Sequence, residues 1–526
     1  MIGTRPAPSA PAPLAPPQSL LVAHPKKPAG TGTPHDPFIV DWARNDSENP
    51  LNFSTTKKWV ITAQLAFCTW TISFSSSVYS SGLASLSRDL HVSNNVAILG
   101  ISLYVAGFAL GPLVCYFHCA FLLLTMPLDL RADGRNRLVF FITLGAYTLF
   151  QLQGCLTTNN IYALLSCRLL TGIFGSSPLT NAPSQIADIW SPQQRGLASA
   201  VYSIMPFLGP IIGPVLGGIT TWRLNFWFMF ICALLSLLSG AILTPETYAP
   251  VLLRRRANKL SKQSNNHYVS IHDRNQSAAP ARNLLTAFSR PFAFLFTEPI
   301  VLLSSVYISI VYGTLYALFA AFPIVFIEHH HFTAVQGGLA FLPIGVGILL
   351  GLASTSVQNT IYRRTMETSQ TGRAPPEARL HQAMVGGALV PIGLLWFAIT
   401  AQPSIHWSLP IIASTLFGMG ISAILQSLTT YLMDAYPLYL ASAVASTVVL
   451  RSVCAAFLPQ LVPLMFARLG DEVAMGVFAV LPLCMPIPFV LWRYGRLMRE
   501  RSSVAFAFSQ DPSETNEIEN KETKMA

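Results

Sequence analysis

The sequence predicts an all-α membrane protein of twelve transmembrane helices in two pseudo-symmetric six-helix halves. Composition is the first reason: 52% of the residues are hydrophobic and 11% charged, with a mean hydropathy of +0.48, against roughly 25% charged residues in soluble domains. Twelve apolar runs of about the length a bilayer requires are the second, six on each side of one polar, basic segment. The third is an internal echo. The fourth run closes on Asp188-Ile189-Trp190-Ser191-Pro192 and the tenth on Asp434-Ala435-Tyr436-Pro437, an acid, an aromatic and a proline at matching places. Duplicated halves point to a transporter with its substrate site near the midplane where they meet.

Residues 1–56, rich in Pro and Ala at their start and without an apolar h-region, are expected to form a disordered cytoplasmic tail. The N-terminal half, 57–245, holds runs at about 59–83, from about 96 past Gly111 into an apolar stretch from Cys115 to Met126, and at about 138–157, 161–186, 197–219 and 225–244. A basic central loop, 246–297, separates it from the C-terminal half, 298–493, with runs at about 299–327, 334–357, 382–401, 407–431, 439–466 and 473–492. Residues 494–526 make a second cytoplasmic tail. With both tails inside, the inner loops carry 16 Lys and Arg and the outer loops only Arg88, Arg223 and Arg468, the asymmetry that sets orientation. The net charge of +10 therefore reports topology rather than nucleic-acid binding. The eight cysteines include no CxxC pair and sit almost entirely in apolar runs, so no metal site and no disulfide framework is expected.

Within the fifth run, Gly209, Pro210, Gly213, Pro214, Gly217 and Gly218 would break a helix in water. In lipid the backbone must stay helical, and glycines four residues apart give a smooth face for close packing. This face is expected at the contact between the halves, where it would seal the outer side.

Two basic residues lie inside runs, Arg168 in the fourth and Arg451 in the eleventh. A basic residue at a span centre costs about 2.5–3.5 kcal/mol on insertion scales, so each faces protein or a water-filled interior. No Asp or Glu sits in the middle of any run. A polycationic cargo would need carboxylates to offset its desolvation, so a neutral or mildly polar molecule is expected. Polar and aromatic candidates for the cavity wall are Asn181, Gln185, Tyr312, Tyr316, Gln426 and Arg451. Asp188, Asp434, Gly134 and Arg135 fall at inner edges and are candidates for gating. Glu298, before Pro299, reads as a helix cap, and the run Glu328-His329-His330-His331 as a solvated loop rather than a metal site. None of the eight lysines follows a glycine, so there is no phosphate-cradling GxxxxGK[ST] loop to power an ATP-driven pump, and no cofactor or enzyme activity is expected.

Together and in order, Asn49-Pro50-Leu51-Asn52, Arg168-Leu169-Leu170-Thr171-Gly172, the run from Asn181 to Trp190, the Gly/Pro stretch, Pro245 to Leu253, Gly338 to Pro343 and Tyr431 to Tyr436 resemble a fungal major facilitator superfamily transporter of the twelve-span drug:proton antiporter type. The resemblance covers Asn49 to Arg496. It implies the major facilitator fold and a monomeric rocker-switch exporter of drugs, toxins or secondary metabolites across the plasma membrane. Arg168 matches the arginine linked to proton coupling, and the six Gly and Pro residues of the fifth run match the antiporter signature. Polyamine export, or a non-transporting membrane sensor on the same fold, are the alternatives. One departure stands out. About a dozen apolar residues, Cys115 to Met126, separate Gly111-Pro112-Leu113 from Gly134-Arg135, where the family has a short loop with an acid three residues before Gly-Arg. Neither Asp129 nor Asp133 has that spacing, and the insertion reads as a gene-model error such as a retained intron.

Overall fold

The computed structural model describes residues 33, 37–43, 45–125, 135–157, 159–191, 194–264, 266–271, 291–369, 374–436, 439–502 and 505. Long helices form at all twelve predicted places. They are α1 (Thr55–Ser77), α2 (Asn94–Thr125), α3 (Arg135–Leu156), α4 (Ile161–Ile189), α5 (Arg195–Ile219), α6 (Trp222–Leu243), α7 (Pro299–Phe322), α8 (Leu342–Thr368), α9 (His381–Thr400), α10 (Ser408–Ala435), α11 (Leu440–Leu469) and α12 (Asp471–Cys484). Among the described residues, nine spans are long and apolar enough to cross a membrane. The other three, α1, α3 and α4, have 23, 22 and 29 residues, enough to span, but mix Ser, Thr and Gln into their apolar sequence.

Side chains at the helix starts explain where several spans begin. Ser54 accepts from the Lys57 amide, Asn160 from Tyr162 and Ala163, and Thr221 from Leu224, each cap contributing about 1 kcal/mol. The helices then pack in a pattern that repeats. In the first half α1 lies along α5, α2 along α4 and α3 along α6; in the second α7 lies along α11, α8 along α10 and α9 along α12. Across the boundary, α2 meets α11 and α5 meets α8. Both contacts obey the same two-fold relation, since α2 corresponds to α8 and α5 to α11.

Two elements differ from the sequence-based expectation, and a third, α2, is longer than the other helices. Helix α2 runs on, as its sequence suggests, through 32 residues to Thr125, about 48 Å at 1.5 Å per residue, because the apolar residues after Val114 extend it without a breaker. The inserted stretch therefore prolongs a helix as far as Thr125, while Met126, Asp129, Asp133 and Gly134 lie outside the described residues. At the other end of the chain, Ile487–Arg501 continues α12 well past residue 493. Its anchor is Arg499, 2% exposed, whose Nε and Nη2 donate to the Glu377 carboxylate at 2.9 and 2.8 Å.

Within the stretch expected to be a disordered tail, Phe38–Val40 forms a strand, β1, paired in parallel with β2, Tyr268–Ser270 of the central loop. Helix Ala249–Ser264 packs on them, and Val40, Leu253 and Ala257 make a small core separate from the main one. Arg256 pairs with Asp46, whose carboxyl burial would raise but which the Arg256 hydrogen bond and charge and the Glu48 amide hold below the usual carboxylate range. The face carrying this module and the N-terminal ends of α1 and α7 is termed the terminal face, the other the opposite face.

A central cavity and the closures on its two sides

Six helices, α4, α5, α7, α8, α10 and α11, surround an open cavity of about 810 Å³, measured out to the solvent; a second and larger one, about 1330 Å³ on the same measure, opens between the halves at the opposite face, lined by Ser80, Pro214, Ile324, Gly338 and Phe466. The wall of the first is mostly apolar, from Leu179 and Phe207 in the first half to Ile308, Ile348 and Leu425 in the second. Polar groups enter along two helix faces. Ser422, Gln426 and Thr429 follow one another at helical spacing on α10, and Thr447 and Arg451 on α11. Of the residues predicted for the wall, Gln426 and Arg451 line it. Tyr312 lies beside it, its ring 4.9 Å from the Arg451 guanidinium carbon. Asn181 instead donates to Ser177 within its own helix at 3.0 Å, and Gln185 faces a small recess against Phe140, Thr244 and Glu246 inside the first half. Tyr202 and Thr447 were not anticipated, although the Ser422, Gln426, Thr429 spacing is a polar stripe visible in sequence.

Above the cavity, groups from the two halves meet. Phe207 of α5 packs edge-on against Tyr312 of α7 with ring centroids 6.1 Å apart, and Tyr316 shares a hydrogen bond of 2.9 Å with Ser76 of α1. Tyr316 is fully buried in this roof rather than on the wall. Nearer the opposite face, Gln460 of α11 donates to Ser102 of α2 at 3.1 Å.

The Gly/Pro stretch divides its work between two surfaces. Gly209, Gly213 and Gly217 press on α1 within the same half: a Cβ on Gly209 would lie 2.6 Å from the Phe74 nitrogen, and one on Gly213 2.7 Å from that of Val78. This row does not face the second half, because four-residue spacing keeps it on the side of α5 turned to α1. The contact with the second half comes from the next face round. A Cβ on Gly218 would lie 2.6 Å from the carbonyl oxygen of Ala334, and Gly338 sits directly against the Pro214 carbonyl. Backbone thus meets backbone at the short helix Ala334–Leu339 that leads into α8, started by a capping box of Thr333 and Gln336.

The predicted histidine run begins inside a seven-residue π-helical turn, Pro323–His329, that continues α7. His329 Nδ1 lies 2.9 Å from Asp471 of α12, and no cluster of three or more metal-ligating side chains occurs among the described residues. His330, between the rings of Phe326 and Phe332, has its imidazole pushed below the usual range by burial and by the neighbouring His329, His406 and His331.

Arg168 is 1% exposed and has no carboxylate partner among the described residues. Its Nη1 donates to Ser75 O at 2.8 Å, Nη2 to Ser76 O at 3.3 Å and Nε to Gly100 O at 3.2 Å, and the guanidinium lies 4.4 Å from the Tyr104 ring and 4.8 Å from that of Tyr79. Ser75 and Ser76 are among the last residues of α1, whose carbonyls lack intrahelical partners and carry the negative end of the helix dipole. The cation therefore caps α1 and ties it to α2.

On the terminal face the acid-aromatic echo becomes a matched pair of clasps. Trp190, two residues after Asp188, donates to Thr62 of α1 at 3.0 Å; Tyr436, two after Asp434, donates to Glu298 at the start of α7 at 2.8 Å. Glu298 occupies the N-cap position but its side chain makes no cap bond. Its carboxylate instead receives Tyr436 and the Ser502 hydroxyl, at 3.0 Å. Asp434 pairs with Arg379 at 2.9 Å, and Arg379 also stacks on Tyr362 at 3.5 Å. Asp188 ends α4 at the corresponding place; Gly134 lies outside the described residues, and Arg135 opens α3.

Two six-helix halves packed about a cavity at their boundary define a membrane carrier. Residues 65–459 match the Major Facilitator Superfamily, and the chain belongs to that family. It is a multi-pass membrane transporter. It is 42% identical over 482 residues to "MFS-type efflux pump MFS2" of Trichophyton rubrum, an alignment covering 90% of this chain and 79% of that protein. It is 40% identical over 493 residues to "Major facilitator superfamily multidrug transporter mdrA" of Aspergillus fumigatus, covering 92% and 78%. With "Major facilitator-type transporter sorT" of Penicillium rubens it shares 39% identity over 486 residues, covering 91% and 90%. Among solved structures, that of the human organic anion transporter MFSD10 (TETRAN) matches with a TM-score of 0.52 at 15% identity, covering 83% of this chain and all of that one, a likeness of fold.

Proposed function

We propose that this transporter exports small hydrophobic or mildly polar organic compounds, of the secondary metabolite, toxin or drug kind, from the cytoplasm across the plasma membrane by alternating access. The observation that carries the proposal is the mostly apolar cavity between the two halves, with a few polar groups on its wall; the backbone contact of Pro214 and Gly218 with Ala334 and Gly338 is its proposed moving seal. The Lys and Arg asymmetry supports a cytoplasmic terminal face, and the names of the relatives, efflux pump and multidrug transporter, support export. The chain acts as a monomer, each six-helix half completing the other.

Inward proton flow is the proposed energy source. Each charge moved through 100 mV supplies about 2.3 kcal/mol, enough for a concentration ratio of nearly fifty per proton. Arginine stays charged at every physiological pH, so Arg168 acts as a positioning residue, through the carbonyls at the end of α1 that it holds. Polyamine export is disfavoured by Arg451, since a cavity presenting a cation repels a polycation.

Expression in yeast cells stripped of their own efflux pumps tests the reading. Such cells should retain less Nile red than vector controls, and a protonophore or Arg168→Ala should restore retention, with the variant still at the plasma membrane. Retention equal to the control across a panel of neutral and anionic dyes and toxins would reject export; normal efflux by Arg168→Ala would remove Arg168 from the coupling.

A further inference from the structure

The two intramembrane arginines differ in how their charge is met. Arg168 is surrounded by carbonyl oxygens and ring faces on every side. Arg451 has a single partner among the described residues, the face of Tyr312, and its Nε is out of reach of solvent with nothing accepting its hydrogen bond. It is also the one charged residue on the cavity wall among the described residues, and no Asp or Glu lines that wall. A guanidinium presents a planar fork of donors matched to a carboxylate or similar oxyanion, and Arg451, half-buried on the cavity wall with its Nε desolvated, leaves that fork without an acceptor among the described residues. Around it stand neutral hydrogen-bonding groups, Gln426, Thr429 and Thr447, and beyond them an apolar wall that includes Phe207.

We propose that the cavity takes organic anions: an oxyanion, of which a carboxylate is the simplest, held by the Arg451 fork, with an apolar, planar body lying along the hydrophobic wall. This rests on the export reading for the direction of passage only; binding in the cavity does not depend on it. Mild polarity in the cargo is thereby narrowed to one negative charge at one end.

Equilibrium binding to the full-length protein in lipid nanodiscs tests this, with tritiated 2-naphthoate as probe and two isosteres as competitors, uncharged 2-naphthalenemethanol and cationic 2-naphthylmethylammonium. The wild type should bind the carboxylate about tenfold to hundredfold more tightly than the alcohol, the range expected for hydrogen bonds to a charged group, and the ammonium weakest. Arg451→Gln should lose that advantage and still bind the alcohol within about twofold, which also reports that it is folded. Arg451→Lys should keep part of the selectivity, having the charge without the fork. Equal binding of the three compounds by wild type, no saturable carboxylate binding, or unchanged carboxylate affinity in Arg451→Gln would each overturn the proposal. The wild-type comparison holds even where a variant misfolds. A protein that binds naphthoate selectively but exports nothing from cells would retire the export reading and leave this one standing.

Discussion

The seal on the opposite face should be breakable by one methyl group. Gly218→Ala adds a Cβ 2.6 Å from the Ala334 carbonyl oxygen and 3.3 Å from the Val335 Cα, where ordinary contacts begin at 3.4 Å. The atoms it meets belong to backbone, so no side chain can rotate away, and α5 and the Ala334–Leu339 helix must separate by about 0.8 Å. Overpacking of this kind costs about 1–3 kcal/mol. The cost falls on the state closed at this face and vanishes when α5 and α8 move apart. The equilibrium should therefore shift toward the state open on the opposite face by about fivefold to 150-fold. Ile211, 1% exposed and lying against Gly345 of α8 beneath the seal, reports the change. Ile211→Cys should react with a membrane-impermeant maleimide added from the opposite face, and Gly218→Ala should raise that rate by the same factor. An unchanged rate in a protein that still binds its cargo would refute the assignment of this contact as the moving seal. Gly213→Leu is a different experiment, since Gly213 faces Ser77 and Val78 of α1 in the same half; its effect should be misfolding rather than a shifted gate.

Two further predictions concern the terminal face. Asp434→Asn leaves Arg379 stacked on Tyr362 without its carboxylate and should slow export about fivefold, while the exchange Asp434→Arg with Arg379→Asp should recover part of the loss; transport assays on the three variants give the coupling directly. Asp46, whose folded pKa is depressed, contributes stability above the unfolded carboxylate pKa of about 3.9 that is lost as pH falls through the lower folded value. Hydrogen-exchange protection of Phe38–Val40 should thus fall in acid, and Asp46→Asn should lower it at neutral pH by no more than about fivefold, the worth of a pair with one exposed partner.

The twelve spans were legible because hydropathy is a local property, and the clasps because acid and aromatic recur two residues apart, at Asp188 and Trp190 and again at Asp434 and Tyr436. What each clasp grips was not legible. Nothing near Glu298 reveals that its carboxylate turns from the α7 amides to Tyr436, 138 residues on. The glycine row at 209, 213 and 217 was recognisable as a packing surface, but a single helix cannot say which neighbour lies against which face. The same holds for Asn181 and Gln185: both are polar residues in α4, and helix rotation alone turns them away from the cavity that Leu179 and Pro183 reach. For Arg451, sequence located a cation in the membrane, and only the packed structure shows its Nε unmatched.

The strand pair β1 and β2 has a mechanical consequence. One strand precedes α1 and the other follows α6, so their pairing fastens together the two ends of the first half and turns it into a closed ring of chain. Whatever rocking occurs between halves cannot draw on the whole central loop for slack. Only the residues between Ser270 and Pro291, 20 in number, join the ring to the second half, with a greatest reach of about 70 Å when fully extended.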